Sequence, residues 1–522
     1  MLFVQPFFLL IFLPSACACF YLARRYLGRT AAVTVLVIAS AVFYAPNGPL
    51  PAALLGVSLC VNLAIGAALA LSVGEGRWRG ALLGVGLLAG FLNLATFKYL
   101  DQVQALFWPN APPILAIAIP AGISFYTFHQ AVFLVHSYNR QAEVLDFFKR
   151  TAGAFGALDT FLRYAAFVAF FPQLVIGPIT YMSELGPQLD RRGLGGLRTR
   201  NIQVGVTLVV VGLFKKIVVA DRLAPLVDRV YYYLHWHTAI SAPQALLAVA
   251  GYYFQLYFDF SGYSDIALGI ARLFGLRLPI NFDSPLRATG IVDFYRRWHM
   301  TLTRVIVLFV FTPLSLWGTR AAVRRGLKGW RGRLIAVWLP YLLNFQIIAL
   351  WHAAKYTFVL FGLVHGIWYI VETDVRRSKA FRRFQSRTPE RLRTLGGMAL
   401  TVAPLSLTFA LFRSDDLFTF KMLCKGFIIP FQPSLTNDGH VDAAVWPALA
   451  AVAAIVYLLP NAYEALRRFR PGFQTFANRS TTPPLFRVKW RPNLAWGLLV
   501  AAMALVVLAS LNVPSPFLYG RF

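Results

Sequence analysis

Long apolar stretches separated by short polar segments repeat from one end of this chain to the other. About a dozen of them reach the roughly 17 to 25 residues that a helix needs to cross the hydrocarbon core of a membrane. Examples are 52–71, 81–97, 202–219, 334–350 and 494–511. Because backbone groups in lipid must be hydrogen-bonded within the chain, such stretches must be helical. The pattern predicts an all-α polytopic membrane protein with about 11 to 13 transmembrane or re-entrant helices.

Composition supports this prediction. Of the 522 residues, 58% are hydrophobic and only 14% are charged, which is too little charge to cover a soluble domain of this size. The formal net charge is +29, yet the basic residues lie in short loops between apolar stretches, as in 191–200, 320–333 and 376–393. Cytoplasmic loops of membrane proteins carry such residues. We therefore expect membrane lipids, through their anionic headgroups, as partners of this charge, and no nucleic acid.

Two of the basic loops, 320–333 and 376–393, enclose about 40 mostly apolar residues, enough for two crossings. Both loops should face the cytoplasm, so the segment between them is expected to be a helical hairpin. His352 then lies near the turn or deep in the membrane. An ionisable residue inside a membrane is a candidate functional residue, and the alternative is a hydrogen-bonded core histidine. Two other histidines, His129 and His136, are expected to be structural or to line a tunnel.

One segment, 252–304, is aromatic and polar at once. Its polar residues include Asp259, Ser261, Asp265, Arg272, Arg296, Arg297 and His299. Such groups line a cavity, pair with each other or lie at the membrane interface. Pro279 and Pro285 should break any long helix, so we expect short interfacial helices around a cavity.

Several kinds of chemistry find no support in the sequence. It contains no phosphate-binding P-loop, no glycine-rich dinucleotide fingerprint and no G-x-S-x-G nucleophile elbow. ATP hydrolysis and covalent serine hydrolysis are therefore not expected. The four cysteines lack the paired spacing of a disulfide framework or a zinc site. We expect neither a metal nor a bound cofactor.

Seven motifs resemble, in the same order, those of the membrane-bound O-acyltransferase (MBOAT) family, and specifically its alginate O-acetyltransferase branch. They are FKY (97–99), PAGISFY (120–126), FFPQLVIGPI (170–179), GLFKKIVVADRL (212–223), YFDFSGYS (257–264) with FYRRWH (294–299), LWHAAKYTF (350–358) with GLVHG (362–366), and FRSDDL (412–417). Each motif alone is moderate support, and their shared order argues against chance agreement.

The resemblance implies a single membrane domain, 1–522, whose helices surround a central tunnel. Its expected parts are N-terminal helices in 1–110, a catalytic core in 111–374 and C-terminal helices in 375–522. In this family an acyl thioester, here acetyl-CoA or another, is offered from the cytoplasmic side, and a hydroxyl acceptor approaches from the other. In the polysaccharide branch the acetyl group moves towards an exported polysaccharide, and a separate extracytoplasmic acetyl-esterase-like partner often completes the transfer. The implied location is the bacterial inner membrane.

The resemblance also assigns residues. The invariant histidine of the family falls on His352, and its second characteristic histidine falls on His299. We interpret His352 as the general base that takes the hydroxyl proton, and His299 as a group that binds the acceptor or assists the oxyanion. Arg296 and Arg297 are expected either to hold donor phosphates or to lie at the interface. Further candidates for contact with donor or substrate are Trp298, Trp351, Tyr356, Asp259 and Ser261.

For Asp259, Ser261 and Asp265 we favour a structural role, in which the carboxylates pair with cavity arginines such as Arg272. The chain also departs from the family, since Ala353 and Tyr356 stand where glycine and tryptophan are usual. Two alternatives therefore stay open. One is transfer of another acyl or aminoacyl group to a cell-envelope polymer. The other is a substrate transporter, although the inverted repeats typical of transporters are not evident.

Overall fold

The computed structural model describes residues 2–72, 74, 76–108, 110–115, 119–149, 154–191, 193–428, 443–473, 483–511 and 518. The structure is 79% helical, and the described residues contain no strand beyond one isolated bridge between Pro279 and Phe473. Nine of the described helices are long and apolar enough to cross a membrane: Phe8–Tyr26, Arg29–Asn47, Pro49–Leu71, Arg77–Ala105, Thr199–His235, Met300–Arg324, Gly329–His352, Tyr356–Arg377 and Glu390–Arg413. The predicted all-α polytopic membrane fold is confirmed.

Further helices lie between and after these spans in the chain. Two of them, Val445–Leu458 and Leu494–Ala509, are also apolar. The others are Ile123–Tyr138, Ala142–Lys149, Ala154–Ala169, Phe171–Leu174, Met182–Leu189, Ala242–Leu246, Tyr252–Leu273, Ile291–Tyr295, Lys379–Arg387, Leu417–Ile428 and Ala462–Ala465, with a π-helical segment at Leu247–Gly251 and 3₁₀ turns at Pro285–Arg287 and Arg467–Phe469.

The predicted hairpin is present. Helices Gly329–His352 and Tyr356–Arg377 pack against each other and are joined by a short turn. Arg333 pairs with Asp374 near the other end, which is the end that carries the basic loops. Because an α-helix rises about 1.5 Å per residue, His352 lies roughly 28 Å along the axis from Arg333. The hairpin thus separates this histidine from the basic surface by about the thickness of a bilayer core.

Helix Tyr252–Leu273, here called the core helix, is buried along nearly its whole length and packs against helix Thr199–Leu213. Glycines allow the two backbones to touch. A Cβ atom on Gly262 would lie 2.8 Å from the carbonyl oxygen of Gly212, and one on Gly269 would lie 2.7 Å from another carbonyl oxygen of the same partner helix. Small residues at helix interfaces permit this close approach inside membranes.

Lysines of the adjoining helix neutralise the carboxylates of the core helix. Asp259 lies 2.6 Å from the Nζ atom of Lys216, and Asp265 lies 2.6 Å from that of Lys215. The expected pairing with Arg272 is therefore wrong. Arg272 follows Asp265 by seven residues on the same helix, which places it roughly 10 Å further along the axis and out of reach.

The expectation of short interfacial helices throughout 252–304 is wrong for the first half of that segment. The core helix is continuous, since both prolines lie beyond its end, and the lysine partners let its carboxylates be buried. Short helices follow only afterwards, at Pro285–Arg287 and Ile291–Tyr295. The polar segment thus consists of one long buried helix followed by a compact turn region that leads to the FYRRWH motif.

Candidate active site

His352 is the last residue of the first hairpin helix. The chain becomes extended at Ala353, with φ −159° and ψ 151°, so the helix ends at the histidine. The imidazole is only 7% exposed and lies against aromatic rings. The ring centroid of Phe412 is 5.0 Å away in an edge contact, and that of Phe358 is 6.3 Å away. The late FRSDDL motif thus packs directly on the predicted catalytic histidine.

The helix that carries the FKY motif contacts the hairpin turn beside His352. The hydroxyl of Tyr99 donates to the carbonyl oxygen of Trp351 at 3.2 Å. Gln102 accepts the N–H of Ala354 at 3.1 Å. The ammonium of Lys98 lies 4.9 Å from the ring centroid of Trp351, within the range of a cation–π contact. Three side chains of one helix therefore fix the backbone and the indole on either side of His352.

His299 begins the next spanning helix in a left-handed conformation, with φ 42°. A non-glycine residue in this region costs energy and persists only where its surroundings fix it. Asn281 provides this constraint, because its Oδ1 atom is 3.0 Å from His299 Nδ1 and also accepts the N–H of Thr301 at 3.3 Å and its hydroxyl at 2.9 Å. The network assigns the proton of a neutral His299 to Nδ1 and the lone pair to Nε2.

The two predicted histidines line the same cavity. Its volume is about 40 Å³, and Tyr295, Trp298 and Thr303 are its other polar or amphipathic lining residues. The remaining lining is apolar: Leu256, Phe294, Leu302, Ile348, Phe361, Phe409 and Phe412. An apolar lining lowers the local dielectric constant, which strengthens any electrostatic or hydrogen-bonding interaction with a reacting group. The cavity is therefore suited to proton transfer away from bulk water.

A second histidine network lies behind this cavity. The hydroxyl of Tyr295 is 2.6 Å from His365 Nδ1, and His365 Nε2 is 2.8 Å from the hydroxyl oxygen of Thr408. Thr408 donates its own proton to the carbonyl oxygen of Leu405, so it accepts from His365 Nε2–H. His365 Nδ1 then accepts the Tyr295 proton. The phenol is held in one orientation, with its oxygen left as an acceptor.

Tyr295, His365 and Lys98 are site residues that sequence reasoning missed. In one unbroken helix His365 would lie on roughly the opposite face from His352, but the chain leaves the helix at Ala353 and a new one begins at Tyr356. The sequence did contain one indication of their role, because these residues lie within the FYRRWH, GLVHG and FKY motifs.

Of the remaining residues predicted to contact donor or substrate, some lie at the histidine cavity and others do not. Trp298 lines the histidine cavity, and the ring centroid of Trp351 is 6.4 Å from that of His299. Tyr356 is 74% exposed at the start of the second hairpin helix and does not line the cavity. Asp259 and Ser261 are buried in the core helix outside the cavity lining. The structure thus brings together the histidines and both tryptophans.

The two arginines of the FYRRWH motif have different surroundings. Arg297 is buried and pairs with Asp293 at 3.0 Å, and it also reaches the carbonyl oxygen of Ser284 at 3.4 Å. Arg296 is exposed and does not line the histidine cavity. Of the two, only Arg296 has the exposure that a phosphate-binding role requires.

The earlier histidines, His129 and His136, do not line the histidine cavity. Thr180 donates its backbone N–H to His129 Nε2 at 3.0 Å. His136 makes an edge contact with the ring of Tyr181, with centroids 5.3 Å apart. Among the described residues, no group of three histidine, cysteine, aspartate or glutamate side chains could hold a metal ion.

The chain is similar in sequence to several known proteins that are named for the transfer of acetyl or D-alanyl groups. The chain is 33% identical to the peptidoglycan O-acetyltransferase of Helicobacter pylori over 82% of its own length and 80% of that protein's. It is 28% identical to the probable alginate O-acetylase AlgI of Pseudomonas putida over the full length of both chains. It is 26% identical to the teichoic acid D-alanyltransferase of Streptococcus thermophilus over 56% of its own length and 67% of that protein's.

The family comparison covers the site itself. The model of the MBOAT, membrane-bound O-acyltransferase family matches residues 122–401, which is more than half of the chain. The matched region contains His299, Tyr295, His352 and His365, and the resemblance carried by the motifs is confirmed. With its helical bundle and its buried histidine cavity, the chain belongs to the membrane-bound O-acyltransferase family, is an O-acyltransferase and falls in the branch of the alginate O-acetylases.

Proposed function

We propose that this protein moves an acetyl group from a cytoplasmic thioester, acetyl-CoA or another, towards hydroxyl groups of an exported cell-envelope polysaccharide. The observation that carries the proposal is the pair of buried histidines, His352 and His299, that line one apolar cavity within a membrane bundle. Two of the relatives are named for O-acetylation, of peptidoglycan and of alginate. Both named acceptors are glycans, which favours the same class of acceptor here.

In the proposed reaction His352 is the general base. Its ring nitrogen takes the proton of the acceptor hydroxyl while the oxygen attacks the thioester carbonyl carbon. The tetrahedral oxyanion then collapses, the carbon–sulfur bond breaks, and the thiolate leaves with the proton that His352 accepted. The products are an ester and a free thiol, so atoms and charge balance.

The tautomer of His299 favours one of its two predicted roles. With the Nδ1 proton directed at Asn281, a neutral His299 presents a lone pair at Nε2. A lone pair accepts a hydrogen bond from a hydroxyl, whereas an oxyanion requires a donor. Because the single proton of the reacting hydroxyl passes to His352, we assign His299 to acceptor binding, in which its Nε2 atom accepts a hydrogen bond from a neighbouring hydroxyl of the glycan. The Tyr295 oxygen, which is also an acceptor in its network, suits the same task.

Two further features support a small acyl group and an acceptor from outside. The cavity of about 40 Å³ is far smaller than the roughly 300 Å³ or more of a pocket for a large ligand, which favours acetyl over a long acyl chain. His352 lies at the end of the hairpin remote from the basic loops, which favours approach of the polymer from the non-cytoplasmic side. An extracytoplasmic acetyl-esterase-like partner and a bacterial inner-membrane location belong to this proposal.

D-alanyl transfer is the second candidate, because two relatives are named teichoic acid D-alanyltransferases. A D-alanyl group is also small, so the cavity alone does not separate the two groups. The transporter alternative is set aside, since the chain belongs to a family of acyltransferases.

Transfer in isolated membranes tests the proposal. Vesicles containing the protein are given acetyl-CoA labelled in the acetyl group, and alkali-labile label in the glycan fraction is counted. We expect His352→Ala to reduce the label by about 10² to 10⁴-fold, the range for loss of a general base. His235→Ala, at an exposed position at the end of a helix, should leave transfer unchanged. Label that persists in His352→Ala membranes would contradict the assignment, and label from D-alanine alone would favour the second candidate.

A further inference from the structure

A second and larger cavity lies away from the histidines, beside the loop that precedes helix Thr199–Leu213. Its volume is about 350 Å³. Four arginines line it, Arg191, Arg198, Arg272 and Arg277, together with Gln188, Asn201 and glycines. No aspartate or glutamate occurs among its described lining residues. Such a concentration of guanidinium groups without carboxylates gives the cavity a positive potential, which attracts anions.

Arg272 is the least exposed of the four. It is 3% exposed, at the end of the core helix, and its Nε atom has no hydrogen-bond partner among the described residues. A buried guanidinium is normally paired, because its desolvation is costly. In the part of the chain that the structure describes, no carboxylate forms an ion pair with it. The group it contacts is therefore expected to come from outside that part.

The start of helix Thr199–Leu213 provides an independent contribution. Arg198 is its N-cap residue, no side chain caps the helix, and both Arg198 and Asn201 line the cavity. The first N–H groups of a helix have no partner within it, and the helix dipole is positive at this end. Helix N-termini therefore bind phosphate and similar anions.

The cavity wall is fixed by hydrogen bonds. The amide of Gln188 donates to the carbonyl oxygen of Arg277 at 2.9 Å and accepts its N–H at 3.0 Å. Arg24 donates to the carbonyl oxygen of Leu194 at 2.7 Å, which ties the loop to the first spanning helix. Burial lowers the pKa of Arg277, and the positive charges of Arg191 and Arg470 lower it further. The positive charges are thus held close together rather than spread over a mobile surface.

We propose that this cavity binds a phosphate-bearing anion at a site separate from the histidine cavity. Guanidinium groups bind phosphate oxygens through paired N–H donors, and four of them converge here. The phosphate belongs either to a lipid headgroup or to a soluble phosphate compound. By the distribution of basic loops the cavity faces the cytoplasm, where both sources are available. The proposal of this anion site does not depend on the proposed acetyl transfer.

The test uses the purified full-length protein and two probes. Calorimetric titration with inorganic pyrophosphate, in a detergent free of phosphate, reports the soluble source. Native mass spectrometry of the protein released from phosphatidylglycerol-containing nanodiscs reports the lipid source. The main variant is Arg191→Gln with Arg198→Gln, because both side chains are exposed and their loss should not affect folding. Arg382→Gln with Arg383→Gln is the matched control, since it removes two exposed arginines from another basic segment.

We expect wild type and the control to bind one of the two probes, and the main variant to bind it at least tenfold more weakly. A tenfold loss for pyrophosphate alone assigns the site to a soluble phosphate compound. A tenfold loss for phosphatidylglycerol alone assigns it to a lipid headgroup. Equal binding by wild type and the main variant, or no binding of either probe by wild type, would overturn the proposal. Arg272→Gln, with folding checked by thermal unfolding, should show the same loss.

Discussion

At the scale of single residues, hydrogen-bond partners determine which ring nitrogen carries the proton in two neutral histidines. The Nδ1–H of His299 donates to Asn281 and the Nε2–H of His365 donates to Thr408, so His299 keeps a lone pair at Nε2, whereas His365 accepts the Tyr295 hydroxyl at Nδ1. The site thus offers hydrogen-bond acceptors at His299 Nε2 and at the Tyr295 oxygen, which suits an acceptor molecule that carries further hydroxyl groups beside the one that reacts. His352 is the third histidine, held in place by aromatic packing.

The orientation of the Tyr295 phenol gives a first prediction. Tyr295 lines the cavity, and Tyr295→Phe removes the hydroxyl that His365 holds in place. We expect the KM for the acceptor to rise about tenfold with a smaller change in kcat, because a contact made before the reaction is lost. Initial rates at varied acceptor concentration measure both constants. Tyr232→Phe, at an exposed position, is the control, and an unchanged KM for Tyr295→Phe would exclude this role.

Lys216 gives a second prediction at this scale. Its ammonium contacts Asp221 and Asp259, both at 2.6 Å, in a buried environment. Lys216→Met leaves these two carboxylates without that cation and should cost about 3 to 5 kcal/mol. Thermal unfolding in detergent measures the effect. Lys149→Met removes a well-exposed partner of Asp146 and should change stability by less than about 1 kcal/mol. Equal unfolding temperatures for the two variants would contradict this prediction.

Individual residues show where sequence reasoning succeeds. His352 and His299 are ionisable groups inside motifs, and the structure places both on one cavity. The contacts that support them join distant parts of the chain, since Tyr99 reaches Trp351 across 252 positions. No local pattern reports such a pairing, which is why Lys98, Tyr295 and His365 were missed.

At the scale of elements, the core helix and its glycine contacts organise the bundle. Hydrophobic periodicity predicted spans well, because length and apolarity are local properties. It did not predict the core helix, whose carboxylates depend on Lys215 and Lys216 from another segment. The hairpin was predicted correctly because the basic loops mark its ends.

Close backbone packing leads to a prediction for this element. Gly262→Ala places a methyl group 2.8 Å from the carbonyl oxygen of Gly212 and 3.1 Å from the backbone nitrogen of Lys216. Backbone atoms cannot move aside easily, so we expect a loss of about 1 to 3 kcal/mol and a lower unfolding temperature. Gly84→Ala is the control, because a Cβ atom there meets nothing within 4 Å. An unfolding temperature for Gly262→Ala that matches the control would contradict the packing.

For the whole molecule, the basic segments and the histidine cavity lie at different depths. The ends of the hairpin define this separation, with Arg333 and Asp374 at one end and His352 at the other. The arginine cavity joins the basic side, because its loop is bonded to Arg24. This separation supports our proposal that donor and acceptor approach from opposite faces of the membrane.

This arrangement predicts the sidedness of labelling. In a variant whose four native cysteines are replaced, Tyr356→Cys should react with a membrane-impermeant thiol reagent in intact cells, since the side chain is exposed at the hairpin turn. Arg382→Cys, in a basic segment, should react only after permeabilisation. The reverse pattern would show that the basic loops lie outside and would contradict the proposed direction of transfer.

The ester content of exported envelope glycans tests the central claim most directly. It is measured by ester-sensitive mass analysis in cells that carry wild type, His352→Ala or His235→Ala, with membrane levels of the three proteins matched. We predict that one glycan loses its acetyl ester with His352→Ala and keeps it with His235→Ala. If every glycan ester is unchanged in His352→Ala cells, acetylation of an exported glycan by this histidine is contradicted.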